Sequence, residues 1–123
     1  MHIADASLAE QVTQTAASLP RNYSEVEPSG LSMTKMTKFP LPRISQAKVA
    51  LGCELYQLQS IGDNAAQTLV FGRVTQVYID DEIACINDNG RLRVDPQKLA
   101  PLARLGGDIY QLPGDIVTIK RPK

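Results

Sequence analysis

The sequence has no tryptophan, only four tyrosines and two phenylalanines, two cysteines and one histidine among 123 residues. Each scarcity removes a class of chemistry. The single histidine, His2, lies in a terminus expected to fray, which leaves no credible histidine ligand or general base. Nucleophilic triads, a Gly-x-x-x-x-Gly-Lys phosphate loop and a dinucleotide fingerprint are missing as well. Cys53 and Cys85 are far apart and form no Cys-x-x-Cys pair. Both stand in apolar, strand-like contexts with no basic neighbour in sequence, so they are expected to be reduced and buried as small hydrophobes. Thirteen basic residues balance thirteen acidic ones. A neutral chain with few aromatics gives no reason to expect nucleic acid or an anionic membrane as a partner. No apolar run has the length of a membrane span and the N-terminus lacks the regions of a signal peptide, so the expected location is cytoplasmic.

What is present divides one domain into three stretches. Residues 1–19 are read as a helix: Ser7-Leu8-Ala9-Glu10 has capping-box spacing, Leu8, Val12, Ala16 and Leu19 recur at helical period, and Pro20 stops the helix near Ser18. Residues 20–47 carry Pro20, Pro28, Gly30, Pro40 and Pro42 and read as an irregular connection with a half-turn from Ser24 to Pro28. Lys35, Lys38 and Arg43 place positive charge on it, either as solvated loop charges or beside an anionic cofactor. Residues 48–123 read as sheet.

Within that sheet, Val49, Leu51, Cys53 and Leu55 alternate with Ala50, Gly52, Glu54 and Tyr56, and Gly52 invites a close backbone approach. Turn chemistry at Ile61-Gly62-Asp63-Asn64 leads to a second strand from about Gln67, so an antiparallel hairpin is expected. The run from Thr68 to Asp80 is long and its apolar phase shifts, which suggests a bulge near Gly72-Arg73 and leaves Arg73 either inward or exposed. Ile83-Ala84-Cys85-Ile86 is a short apolar segment closed by Asn87-Asp88-Asn89-Gly90. The adjacent carboxylates of Asp80, Asp81 and Glu82 alternate sides on a strand end and read as solvated, without the spaced ligands of a calcium loop.

The most informative stretch runs from Asp95 to Pro122. Asp95 caps a helical turn with Pro96 at its first position, and Pro101 ends it. Gly106-Gly107 forms a corner, and Ile116-Val117-Thr118-Ile119 is a β-rich run between Gly114 and Pro122. Asp-Pro-x-Lys-Leu-x-Pro-Leu-Ala-Arg-Leu-Gly-Gly-x-x-Tyr followed by glycine and a short apolar strand resembles the C-terminal signature of the flavin reductase-like proteins, which are FMN-binding split-barrel domains. The segments from Val49 to Leu55 and from Leu69 to Asp81 resemble that family's two long late strands, in the same order.

The resemblance implies a mainly β (α+β) fold: an antiparallel split-barrel-like sheet with one N-terminal helix and a short helical turn before the C-terminal strand. It implies FMN as cofactor and NADH or NADPH as substrate, in chemistry where the flavin carries the hydride and the protein positions it. Arg104, Gly106, Gly107 and Tyr110 occupy its signature positions near the flavin: Arg104 as a cation for phosphate or nicotinamide, the glycines as a close backbone passage, and Tyr110 as a wall. Each also has a plainer reading: the glycines as a turn, Arg104 as a partner of Asp95 or Asp108, and Tyr110 as core. The match is to the C-terminal half of the domain, so most family contacts to the flavin are expected to lie outside this sequence. An open sheet edge and apolar residues such as Val70, Phe71 and Val74 then call for cover, expected from a homodimer with exchanged elements or from a separate N-terminal half. The alternative function is a non-catalytic dimerisation or binding module that keeps the fold without flavin.

Overall fold

In a computed structural model, which describes residues 1–62 and 67–122, short strands and turns surround one long hairpin. Strand β1 (His2–Ile3) leads into a 3-10 turn (Ala6–Leu8) and helix α1 (Ala9–Gln14). Strands β2 (Met33–Thr34), β3 (Arg43–Ile44), β4 (Val49–Ile61), β5 (Gln67–Ile79), β6 (Ala84–Ile86) and β7 (Leu92–Val94) follow. Helix α2 (Pro96–Leu99) precedes β8 (Ala103–Gly106) and β9 (Ile109–Gln111). Every strand pair is antiparallel. The largest sheet has the order β1-β4-β5, and β2-β3, β6-β7 and β8-β9 are separate ribbons. This is the mainly β, antiparallel architecture expected from the sequence.

The core sits at the root of β4. Val49 and Ala50 are buried there with Leu8, Met36, Ala47 and Ile83, which come from the N-terminal turn, the proline-rich connection and the segment after β5. Burying each of the larger side chains contributes about 1.5–3 kcal/mol. Gly52 continues the root. A Cβ built on it would lie 2.7 Å from the Phe39 ring, so the ring covers the strand only because no side chain stands there. The close approach anticipated at Gly52 is therefore real, and Phe39 from the connection makes it.

Asp5 ties the ends of the chain to this root. It is fully buried, caps the 3-10 turn by accepting from the Ser7 amide at 2.8 Å, and lies 3.6 Å from Lys48 Nζ. Lys48 Nζ in turn donates to the Lys98 carbonyl at 2.9 Å, and Lys98 Nζ donates to the Glu82 carbonyl at 3.1 Å. Main-chain bonds from Ala6 to Ala100 and from Leu102 to Ala4 run alongside. The N-terminus, the start of β4 and the turn around α2 are thus one latch.

The β4–β5 hairpin has two register shifts. Tyr56 is the extra residue on β4, opposite Phe71 and Gly72, and Thr75 is the extra residue on β5, opposite Gly52 and Cys53. The irregularity expected near Gly72-Arg73 is present, with the extra residue on the facing strand, and Arg73 lies between the two register shifts, exposed, with its guanidinium 5.2 Å from the Tyr56 ring. The turn expected at residues 61–64 falls largely outside the described residues; Gly62, at its near edge, has φ +84.

Five expectations are corrected. The N-terminal helix does not run over residues 1–19; its α-helical part is Ala9–Gln14, and its first cap is Asp5 instead of Ser7. Thr13 Oγ1 and Thr15 Oγ1 donate to the Ala9 and Val12 carbonyls, drawing the last turn onto its own side chains, and Leu19 beyond it is exposed. His2 is not frayed but paired with Ala50 in β1. Cys85 is exposed and Cys53 half-buried; both are free thiols. Residues 48–123 form one three-stranded sheet's long strands plus separate ribbons, not a single sheet. Residues 116–119 belong to no strand, despite their β-rich composition, because propensity alone supplies no neighbouring edge; the strand after the glycine corner is β9.

Among the described residues no helix is long and apolar enough to cross a membrane, and no group of three or more His, Cys, Asp or Glu side chains is arranged to hold a metal. Asp80 is instead occupied locally: its Oδ1 accepts from the Glu82 amide at 2.9 Å, and its Oδ2 accepts from the Tyr78 hydroxyl at 3.3 Å.

Candidate functional site

Helix α2 forms as its sequence requires. Asp95 Oδ1 accepts from the Gln97 and Lys98 amides at 2.9 and 3.2 Å, Pro96 fills the first helical position, and Ala100 closes the turn in the left-handed region at φ +48. The chain then enters the β8–β9 ribbon. Gly106 and Gly107 turn it with φ +128 and +52, angles that exclude most other residues. Leu105 is the extra residue of a bulge, so Arg104 stands directly opposite Tyr110.

All four signature residues therefore meet at one ribbon end. The Arg104 guanidinium lies 5.9 Å from the Tyr110 ring, and its Nη2 donates to the Gly107 carbonyl at 3.0 Å. Arg104 thus braces the glycine corner; among the described residues it forms an ion pair with neither Asp95 nor Asp108. The Tyr110 and Thr13 hydroxyls are hydrogen-bonded at 3.1 Å, which fastens the ribbon to α1. Between ribbon and helix lies a cleft of about 420 Å³ lined by Ala9, Glu10, Thr13, Gln14, Asp108 and Tyr110.

A flavin nucleotide needs an aromatic or flat wall for its ring and cationic or amide donors for its phosphate. Tyr110 supplies the first. Around Gly106 and Gly107 the space is open, with nothing within 4 Å of where a Cβ would be, and the exposed Arg104 keeps further N–H groups for an incoming acceptor. The cleft's own lining includes the Glu10 and Asp108 carboxylates, which oppose a phosphate within it.

The basic residues of the connection do not join this site. Arg43 stacks on the Tyr78 ring at 3.5 Å and donates to the Ile44 and Ser45 carbonyls, so it is already engaged. Burial pushes the Tyr78 phenol up, and the adjacent Arg43 charge works against that shift. Lys35 lines a separate groove with Met33, Phe39 and Leu41, and Lys38 is exposed with φ +58.

A second cavity, of about 380 Å³, lies on the other side of α1, between β1 and the connection. Leu8, Val12, Val26, Leu31 and Ile44 make it apolar, and His2 and Glu25 are its titratable groups. His2 Nε2 accepts the Ile44 amide at 3.0 Å, which assigns the imidazole proton to Nδ1. Burial, then the N-terminal ammonium, then Arg43 hold its pKa below the ordinary 6.5. Little in the sequence signals this role, since a histidine at position 2 reads as terminal; the available sign was Ile3 and the capping residue Asp5 just after it.

No family model matches the chain. Among solved structures, nitrilotriacetate monooxygenase component B from Bacillus cereus superposes with a TM-score of 0.83 at 26% identity, over 96% of this chain and 57% of that one. The 2-nitrobenzoate 2-nitroreductase of Pseudomonas fluorescens superposes with a TM-score of 0.81 at 30% identity, over 99% and 58%. A candidate flavin reductase with a split barrel domain from Shewanella frigidimarina gives a TM-score of 0.82 at 23% identity, over 98% and 59%. The fold is split-barrel-like. The structures that share it include one described as a split-barrel flavin reductase and one described as an FMN-binding domain of a flavin reductase-like enzyme. An uncharacterized protein of Halalkalibacterium halodurans is 27% identical over 125 residues, 99% of this chain and 57% of its own length. This split-barrel-like chain therefore spans somewhat more than half the length of the proteins it matches.

Proposed function

We propose that the chain is an FMN-binding, flavin reductase-like protein that takes NADH or NADPH as reductant. The observation that carries this reading is the meeting of Arg104, Gly106, Gly107 and Tyr110 at one open ribbon end, in a fold shared with a structure described as a split-barrel flavin reductase. A bound flavin would supply the hydride chemistry. The chain's own residues would orient it: Arg104 through N–H groups left over from its bond to Gly107, the glycine backbone by close approach, and Tyr110 as a wall anchored to Thr13.

The test is a titration of the purified protein with FMN, followed by flavin absorbance and fluorescence. Saturable binding is expected, and Arg104→Ala should weaken it about tenfold or more, as for loss of a charge-assisted hydrogen bond. No saturation at FMN concentrations well above micromolar would overturn the reading. The second reading, a dimerisation or binding module without flavin, is favoured by the Glu10 and Asp108 carboxylates beside Tyr110, which oppose a phosphate there. It predicts no FMN binding together with self-association.

A further inference from the structure

A hydroxyl carries one proton, and that limit decides what the cleft between α1 and the β8–β9 ribbon can hold. Thr13 Oγ1 is within hydrogen-bond distance of two oxygens, the Ala9 carbonyl at 2.8 Å and the Tyr110 hydroxyl at 3.1 Å. A carbonyl can only accept, so the Thr13 proton is committed there. The second bond then forms only if the Tyr110 O–H donates to Thr13 Oγ1. Both protons therefore run into the helix, from Tyr110 to Thr13 and from Thr13 to Ala9. The Tyr110 oxygen keeps lone pairs alone for anything that enters the cleft.

The rest of the lining has the same polarity. Ala9 and Thr13, like Glu10 and Gln14, are four residues apart, so all four share the face of α1 that lines the cleft with Asp108 and Tyr110. Glu10 and Asp108 are acceptors as carboxylates, and neither forms an ion pair among the described residues. Of these lining side chains, the Gln14 amide is the one that keeps N–H groups to offer.

We propose that Thr13 is a positioning residue that sets the specificity of this cleft: by taking the Tyr110 proton it selects a flat ring carrying a primary carboxamide over the same ring carrying a carboxylate. The carboxamide N–H groups meet the Tyr110 oxygen and a carboxylate, its carbonyl accepts from Gln14, and the ring lies on the Tyr110 side. A carboxylate of the same shape brings no N–H. It leaves the Tyr110 oxygen without a donor and sets like charges beside Glu10 and Asp108. The inference rests on the ribbon end being a ligand site, as proposed above, and requires neither FMN nor Arg104. Failure of FMN to bind and failure of the specificity are therefore separate results.

Benzamide and benzoate, titrated into the full chain at about pH 7.5 where the carboxylate is ionised, test it. Binding is read from the chemical shifts of Thr13 and Gln14, so that benzoate drawn to the Arg104 guanidinium is not counted. Benzamide should saturate, and bind about tenfold or more tightly than benzoate. Thr13→Ser keeps the hydroxyl and both of its bonds, and should keep the preference. Thr13→Val has the same shape without the hydroxyl; it frees the Tyr110 proton for a ligand oxygen and should narrow the preference at least about threefold. Tyr110→Phe removes the acceptor from the ribbon side and should narrow it likewise. Equal binding of the two probes, saturation by neither, a preference unchanged in Thr13→Val or one lost in Thr13→Ser would each overturn the proposal. So would a Thr13→Val chain that weakens both probes by the same factor, since Thr13 would then merely hold the ribbon in place.

Discussion

The two ends of strand β4 belong to one hairpin and are held by different physics. At the root, Val49, Ala50 and Gly52 are buried beneath Phe39, Met36 and the Asp5–Lys48 latch. At the arm, Leu55, Tyr56 and Leu58 face solvent across from Val70 and Phe71, and cross-strand bonds are what the described structure offers them. A two-stranded ribbon alone is marginal in water, because each cross-strand pair adds only about 0.2–1 kcal/mol while every ordered residue costs backbone entropy. Identical strand chemistry is therefore stable where tertiary contacts arrive and provisional where they do not. The root is held by tertiary contacts; the arm, among the described residues, is held by cross-strand pairing.

The largest expected effect lies at the root. Ile83→Ala removes a side chain that is 2% exposed and should cost about 2–5 kcal/mol, read as a fall in the denaturant midpoint at unchanged slope. A loss below about 1 kcal/mol would mean that the root is not the core.

A pH series sharpens the same contrast with a smaller effect. Folded His2 has a lowered pKa, mainly through burial, and its neutral Nε2 accepts the Ile44 amide. The unfolded chain therefore takes up this proton first. Stability contributed by neutral His2 should be complete above about pH 6.5, decline as pH falls below that value, and be lost once pH passes below the folded pKa. His2→Gln should flatten this decline in chemical denaturation compared at about pH 7.5 and about pH 5. An equally steep decline in the variant would place the titrating group elsewhere.

The smallest effect is expected on the arm. Leu58→Ala, in a residue 57% exposed, should change stability by under about 0.5 kcal/mol. A cost comparable with Ile83→Ala would show that the arm is already buried in solution, by a partner.

Local features of the fold were legible because they rest on neighbours in sequence. Asp95-Pro96 announced the capped turn of α2, Asn87 to Gly90 announced the β6–β7 turn, and the alternation from Val49 announced a long hairpin partner. The candidate site was legible as a set of residues, since Arg104 and Tyr110 sit opposite each other within one ribbon. Its surroundings were not. Thr13 reaches Tyr110 from 97 positions away, and Glu10 enters the same cleft from α1. Asp5 looked like an unremarkable residue ahead of Ser7, yet it is the buried member of the latch to Lys48.

The apparent strand at residues 116–119 shows the limit most clearly. Composition gave it the preferences of a strand, but a strand is a relation between two segments, and the described chain pairs it with no edge. Sequence by itself determined the α2 cap, the β6–β7 turn, the hairpin and the residues of the glycine corner, because dihedral preference and short-range hydrogen bonds act within a few residues. Tertiary structure alone decided that His2 is an ordered acceptor and which end of β4 is dry. Those outcomes depend on which distant surfaces meet, and burial is a property of the meeting.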